Sequence, residues 1–185
     1  EPIDVTGNKV TGSGSTIIKI NPSNTFASGT EYYILIDATA FDDAAGNSYA
    51  GISSTTALSF TSKDTVKPYL TSTVPAHLAT DIATNANIVL NFSETVVAQS
   101  GGHYITIFNK SDDSEFEKID VTNAKVSGSG TNQITINPGT NFVEKSIYYI
   151  KIDATAFDDS SGNSYGGISG TNKYKFTIVD STNPT

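Results

Sequence analysis

The sequence has no cysteine, no methionine and no tryptophan, and all eleven of its Lys and Arg positions are lysine. Without cysteine there are no disulfides, no thiol chemistry and no cysteine-ligated zinc, and a disulfide-stapled extracellular domain of the animal type is a poor match. Losing both oxidisable sulfur side chains suits a long-lived protein outside the cell. Acidic residues number 19, giving a formal charge of −8, and arginine forks are missing. Such a chain is a poor partner for phosphate, so neither nucleic acid nor an anionic membrane surface is expected. No apolar run approaches the roughly 18 residues that mark a membrane span, so no membrane insertion is expected.

Catalytic chemistry is also thinly supplied. The two histidines, His77 and His103, fall in different expected elements and have no repeated counterpart. Gly12-Ser13-Gly14 and Gly128-Ser129-Gly130 lack the lysine and helix of a phosphate loop. No catalytic residue and no enzyme activity are expected.

What the sequence does contain is itself. Glu1 to Pro68 returns without a gap as Glu117 to Pro184, with about 38 of the 69 aligned positions (1 to 69 against 117 to 185) identical. Residues 65 to 180 therefore form one full period, residues 1 to 64 match only the later half of one, and residues 181 to 185 open the next linker. The expected organisation is a half domain at 1–64, a complete domain at 65–180 and a linker start at 181–185. A half sandwich leaves apolar strand faces uncovered and is too small to fold alone. Its missing strands are expected either upstream in the same protein or from another chain by strand donation.

Within the full period no stretch shows a sustained helical apolar period, and short alternating runs are broken by turn signals. Strands are expected at 68–74, 87–93, 103–109, 116–126 (one or two), 133–137, 147–153 and 173–179. Ile88, Leu90 and Phe92 share one face, with Ile105 and Ile107 in the next strand. The copies test this alternation: Tyr32, Ile34 and Ile36 return as Tyr148, Ile150 and Ile152, while Leu35 between them becomes Lys151. Change on alternate residues is what a strand with one face in a core produces. The fold class is all-β, with tandem immunoglobulin-like β-sandwiches of about seven strands each, the first incomplete.

The order of Asp64 and Pro68, Ser72-Thr73-Val74-Pro75, Asn91-Phe92-Ser93-Glu94, Tyr148-Tyr149-Ile150, Asp159-Ser160-Ser161-Gly162-Asn163 and Phe176-Thr177 resembles the bacterial Ig-like domains (SbsA-like type) of S-layer proteins and large surface adhesins. That resemblance implies an extracellular or bacterial cell-surface protein serving as stalk, fibre or surface-layer building block. The implied partners are neighbouring repeats or other copies of the same protein. The loop between Ile152 and Lys173 is longer than the family pattern.

That loop is held between the copies while the turn from Pro22 to Glu31 has largely changed. Two readings stand side by side. In one, Asp159 caps a tight bend, Gly162 takes a positive φ and Asn163 bonds its own backbone. In the other, the adjacent carboxylates and the Asn amide are hard oxygen ligands for Ca²⁺. The calcium reading assigns Asp158, Asp159, Asn163 and Asp180, with Asp42, Asp43, Asn47 and Asp64 as the equivalent set, and has the ion stiffen the junction to the next domain. A binding alternative places glycans or a host surface against outward aromatics, Tyr33 and Tyr149 on a strand, Tyr49 and Tyr165 in the loop.

Overall fold

A computed structural model describes residues 1–182 and is all-β, in two units that divide between Thr65 and Val66; residues 183–185 of the expected linker start lie outside the described residues. The first holds β1 (Val10–Thr11), β2 (Lys19–Ile20), β3 (Glu31–Tyr33) and β4 (Ser59–Thr61). The second holds β5 (Leu70–Val74), β6 (Ile88–Ala98), β7 (Tyr104–Asn109), β8 (Glu115–Asp120), β9 (Val126–Ser127), β10 (Thr131–Ile136), β11 (Ile147–Ile152), β12 (Phe157–Asp158) and β13 (Lys175–Thr177). Seven of these nine are strands of three residues or more, and β9 and β12 are two-residue pairings.

The second unit is a sandwich of two antiparallel sheets. One runs β12-β6-β10-β9, with β5 also on β6, and the other runs β13-β11-β7-β8. The long β6 holds two partners along one edge, β5 opposite Val89–Phe92 and β12 opposite Val97 and Ala98. Strict alternation along β6 puts Ile88, Leu90, Phe92 and Val96 in the core, where Ile105, Ile107, Ile134, Ile136, Tyr148, Ile150 and Ile152 meet them from neighbouring strands. Phe116, Phe142, Tyr148 and Phe176 close one part of this core as a ring cluster with centroids 4.8–6.5 Å apart.

The antiparallel registers also fix the poles. Ile147 faces Thr177, so β13 leaves the sandwich at the end where β11 begins. The loop after Ile152 lies at the other end, a strand length of roughly 17 Å away. Tyr69, ahead of β5, is tied at that same loop end: the Ser93 amide donates to its carbonyl at 2.8 Å and its own amide donates to the Ser93 hydroxyl at 3.1 Å. The chain of the full unit thus comes in at the loop pole and goes out at the opposite one.

In the first unit, every pairing internal to the repeated segment recurs in the same register. Val10 faces Ile20 as Val126 faces Ile136, and Tyr32 faces Phe60 as Tyr148 faces Phe176. Strands that depend on residues 66–116 are shorter: β2 has two residues where β10 has six, and β3 three where β11 has six. No residue of 1–65 is buried.

One substitution made at paired positions reads out this difference. Ile136, fully buried, is expected to cost about 2–5 kcal/mol on truncation to Ala. Its counterpart Ile20 is 40% exposed and should cost less than about 1 kcal/mol. Denaturant unfolding of the two single variants measures both, and equal losses would contradict the uncovered face.

Candidate functional site

The candidate site is the loop that follows β11, and it is a folded object in its own right. Its base is apolar: Ala156 and Phe157 are fully buried, and Phe157 and Tyr165 pack on Phe92 with centroids 5.5 and 5.1 Å away. Backbone bonds zip its two arms, Tyr165 N to Phe157 O at 2.8 Å, Thr155 N to Tyr165 O at 2.9 Å and Asp159 N to Asn163 O at 3.0 Å. Asp153 ties the loop to β7, its carboxylate accepting from the Tyr104 amide at 2.9 Å. Gly167, at φ 75°, allows the closing strand to pass close: a Cβ there would lie 2.5 Å from the Ile152 carbonyl oxygen.

At the tip, Asp159 organises the turn. One carboxylate oxygen accepts from the amides of Ser161 and Asn163, both at 2.8 Å, and the other from the Asn163 side-chain amide at 2.7 Å. Burial pushes the Asp159 pKa up, but the Asn163 and Ser161 donors outweigh it and hold the acid below its ordinary value, so it stays ionised. Gly162 has φ 82°, as expected for the bend. The expected role of Asn163 is corrected: its side-chain amide bonds the Asp159 carboxylate, because that anion is a stronger acceptor than a backbone group. The first unit repeats the device, with the Asp43 carboxylate accepting from Ala45 N at 2.9 Å, Asn47 N at 2.8 Å and Asn47 Nδ2 at 2.9 Å.

The expected metal ligands are distributed unevenly. Asp159 and Asn163 touch, as do Asp43 and Asn47, and Asp158 and Asp42 adjoin them, each bridged to the serine across the turn (Ser164 and Ser48). The carboxylate oxygen Oδ1 of Asp158 is buried and has no hydrogen-bond partner. Asp180 is not with them. It sits past β13 at the opposite pole, paired with Lys145 at 3.1 Å and accepting from Thr182, because antiparallel pairing sends β13 away from the loop. Asp64 accepts from the Ser28 hydroxyl at 2.8 Å in the first unit.

Sequence reasoning missed Glu94, which brings a carboxylate oxygen within 4.8 Å of one on Asp159. A signal was present: Glu94 has the same parity on β6 as Phe92 and Val96, an unusual place for an acid, and it is half-buried. The β6–β10 register is irregular across this stretch, and such bulges re-aim side chains.

The aromatic candidates need a second correction. Tyr149 is 2% exposed, covered by the parallel ring of Phe108 at 5.0 Å and by the Lys110 and Lys151 ammonium groups at 5.3 and 5.8 Å. Tyr165 is 7% exposed against Phe92. Neither offers a free face for a sugar, whereas Tyr33 and Tyr49 in the first unit are exposed.

These features define a class: an all-β, immunoglobulin-like sandwich built as a sequence repeat. A family model described as bacterial Ig-like domain matches residues 2–62 and again 64–178. The chain belongs to the bacterial Ig-like domain family. No curated protein matches it. Among solved structures it is similar in fold to CopC from Methylosinus trichosporium OB3b, at 15% identity and a TM-score of 0.42, covering 64% of this chain and 99% of that one. It is likewise similar to PcoC, a copper resistance protein from Escherichia coli, at 23% identity and a TM-score of 0.40, covering 60% of this chain and 98% of that one.

Replacing Asp159 by Ala strands the donors that its carboxylate satisfies, at an expected cost of about 1–3 kcal/mol to the second unit. The acid's pKa is depressed in the folded state, so its contribution is complete above the ordinary value of 3.8 and fades as pH drops through the folded value. Denaturation of both proteins between neutral pH and pH 2 should show the gap closing only in the acid range, and a constant gap would contradict the ionised turn.

Proposed function

We propose that this chain is a structural repeat module of an exported bacterial surface protein, working as a stalk, fibre or surface-layer element and joined to neighbouring repeats of its own kind. The observation that carries the reading is the pole-to-pole path of the full unit, in at the loop end with Tyr69 and out past β13 at the other. A sandwich threaded this way passes tension through its long dimension, and each added repeat adds length. Family membership, the duplication, the sulfur-free composition and the net negative charge support the same role. Stretching a polyprotein made of several 66–180 repeats tests it by force spectroscopy. Each repeat should give one discrete unfolding event that releases roughly 400 Å of chain, less its folded length. Smooth extension without discrete events would count against a tension-carrying module.

A second reading, calcium at the loop pole, is favoured by a separate observation: carboxylate oxygens of Glu94 and Asp159 lie within 4.8 Å of each other. A cation between two carboxylates offsets their repulsion, and Ca²⁺ takes oxygen ligands of this type. We propose Glu94 and Asp159 as its protein ligands, with Asn163 holding Asp159 in place. Millimolar Ca²⁺ should raise the melting temperature of the second unit, a chelator should reverse the shift, and Glu94→Gln should abolish it while leaving the metal-free protein folded. An unchanged melting temperature across the titration would remove calcium from the account.

A further inference from the structure

The first unit carries an apolar face whose covering can be read from the second unit, residue for residue. Phe26 is 46% exposed and Phe60 37%, whereas their copies Phe142 and Phe176 are 3% and 1% exposed. Ile18, Ile20 and Leu58 are exposed, and their copies Ile134, Ile136 and Tyr174 are buried. The packing within the face is nevertheless already in place. The centroid distances of Phe26 to Tyr32 and to Phe60 are 4.7 and 5.2 Å, against 4.8 and 5.4 Å for Phe142 to Tyr148 and to Phe176. The Ala27 amide donates to the Tyr32 hydroxyl at 2.8 Å, as Val143 does to Tyr148 at 3.1 Å.

In the second unit the cover comes from residues 66–116. Ile88 and Leu90 pair with Ile136 and Ile134 on one sheet, Ile107 and Ile105 pair with Ile150 and Ile152 on the other, and Phe116 lies over Phe142 and Tyr148 at 5.5 and 4.9 Å. We propose that the open face of residues 1–65 is an interaction surface for the front half of another bacterial Ig-like repeat, a segment with the strand pattern of residues 66–116. Its counterparts of Ile88 and Leu90 pair with Ile20 and Ile18. Its counterparts of Ile107 and Ile105 pair with Ile34 and Ile36, and an aromatic in the place of Phe116 closes over Phe26 and Tyr32. The occupant is a front half, not a second face of the same kind. β2 and β3 need antiparallel strands at their open edges as well as an apolar cover, and two back halves laid face to face supply only the cover. This inference stands on the packing and does not depend on the surface role proposed above.

The test joins a second copy of residues 66–116 directly ahead of Glu1, the order in which Phe116 runs into Glu117, and follows amide hydrogen exchange beside the unfused chain. Completion predicts that the amides of Ile18, Ile20, Tyr32, Ile34 and Ile36 exchange rapidly in the unfused chain and slow by roughly a hundredfold or more in the fusion. Ile88→Asp with Leu90→Asp in the added copy alone should restore fast exchange at these positions while the original second unit stays protected. The proposal is overturned if the fusion leaves these amides fast. It is equally overturned if the unfused chain already protects them, as a monomer or, by light scattering, as a face-to-face dimer.

Discussion

The whole sandwich depends on two strand pairings, β6 with β10 and β7 with β11. Residues 117–178 make local pairs by themselves, β9 with β10 and β11 with β13, but each is a two-stranded ribbon with one apolar face. Only β6 and β7, from the front half, join these ribbons to further strands and bring the two inner faces together. The first unit shows what the ribbons are without them: registers intact, strands shortened, aromatic contacts formed, nothing buried. A two-stranded ribbon is marginal in water because the cost of ordering its backbone is not met by burial.

The loop pole follows from the same pairing. Phe92 on β6 is the floor on which Phe157 and Tyr165 rest, and β12 extends the β6 edge through Val97 and Ala98. Once the loop is seated, Asp159 is nearly enclosed, which would neutralise an isolated acid. Local donors from Ser161 and Asn163 prevent that and keep a negative charge beside Glu94. Packing thus concentrates charge at one end of the unit, and the hydrogen bonds that stabilise the turn are what let it persist.

Much of this was legible in the sequence because burial alternates with a period of two and the chain carries its own comparison. Ile88, Leu90, Phe92, Ile105 and Ile107 were expected inside from alternation, and they are. The continuation of β6 past Ser93, through Glu94 and Thr95, was not legible, since polar residues there read as a strand end, and Glu94 was missed with it. The burial of Tyr149 depends on Phe108, forty-one positions away in sequence but opposite it in the sheet. Assigning Asp180 to the loop failed for a related reason: a pole is a property of register, and composition does not carry register.

The identity between the two copies of the loop can now be divided. Turn chemistry accounts for Asp43 and Asp159, for Asn47 and Asn163, and for the glycines at positive φ, because each makes a bond or occupies a conformation that the bend requires. It leaves out Asp42 and Asp158. Their backbones bridge to Ser48 and Ser164 whatever the side chain, and no hydrogen bond of the turn uses either carboxylate. Aspartate is among the residues that strands tolerate least, and burying an acceptor without a donor is unfavourable. The bend by itself therefore accounts for Asp159, through the donors its carboxylate holds, whereas the acid at Asp158 is kept in both copies for a reason that lies outside the turn's hydrogen bonds.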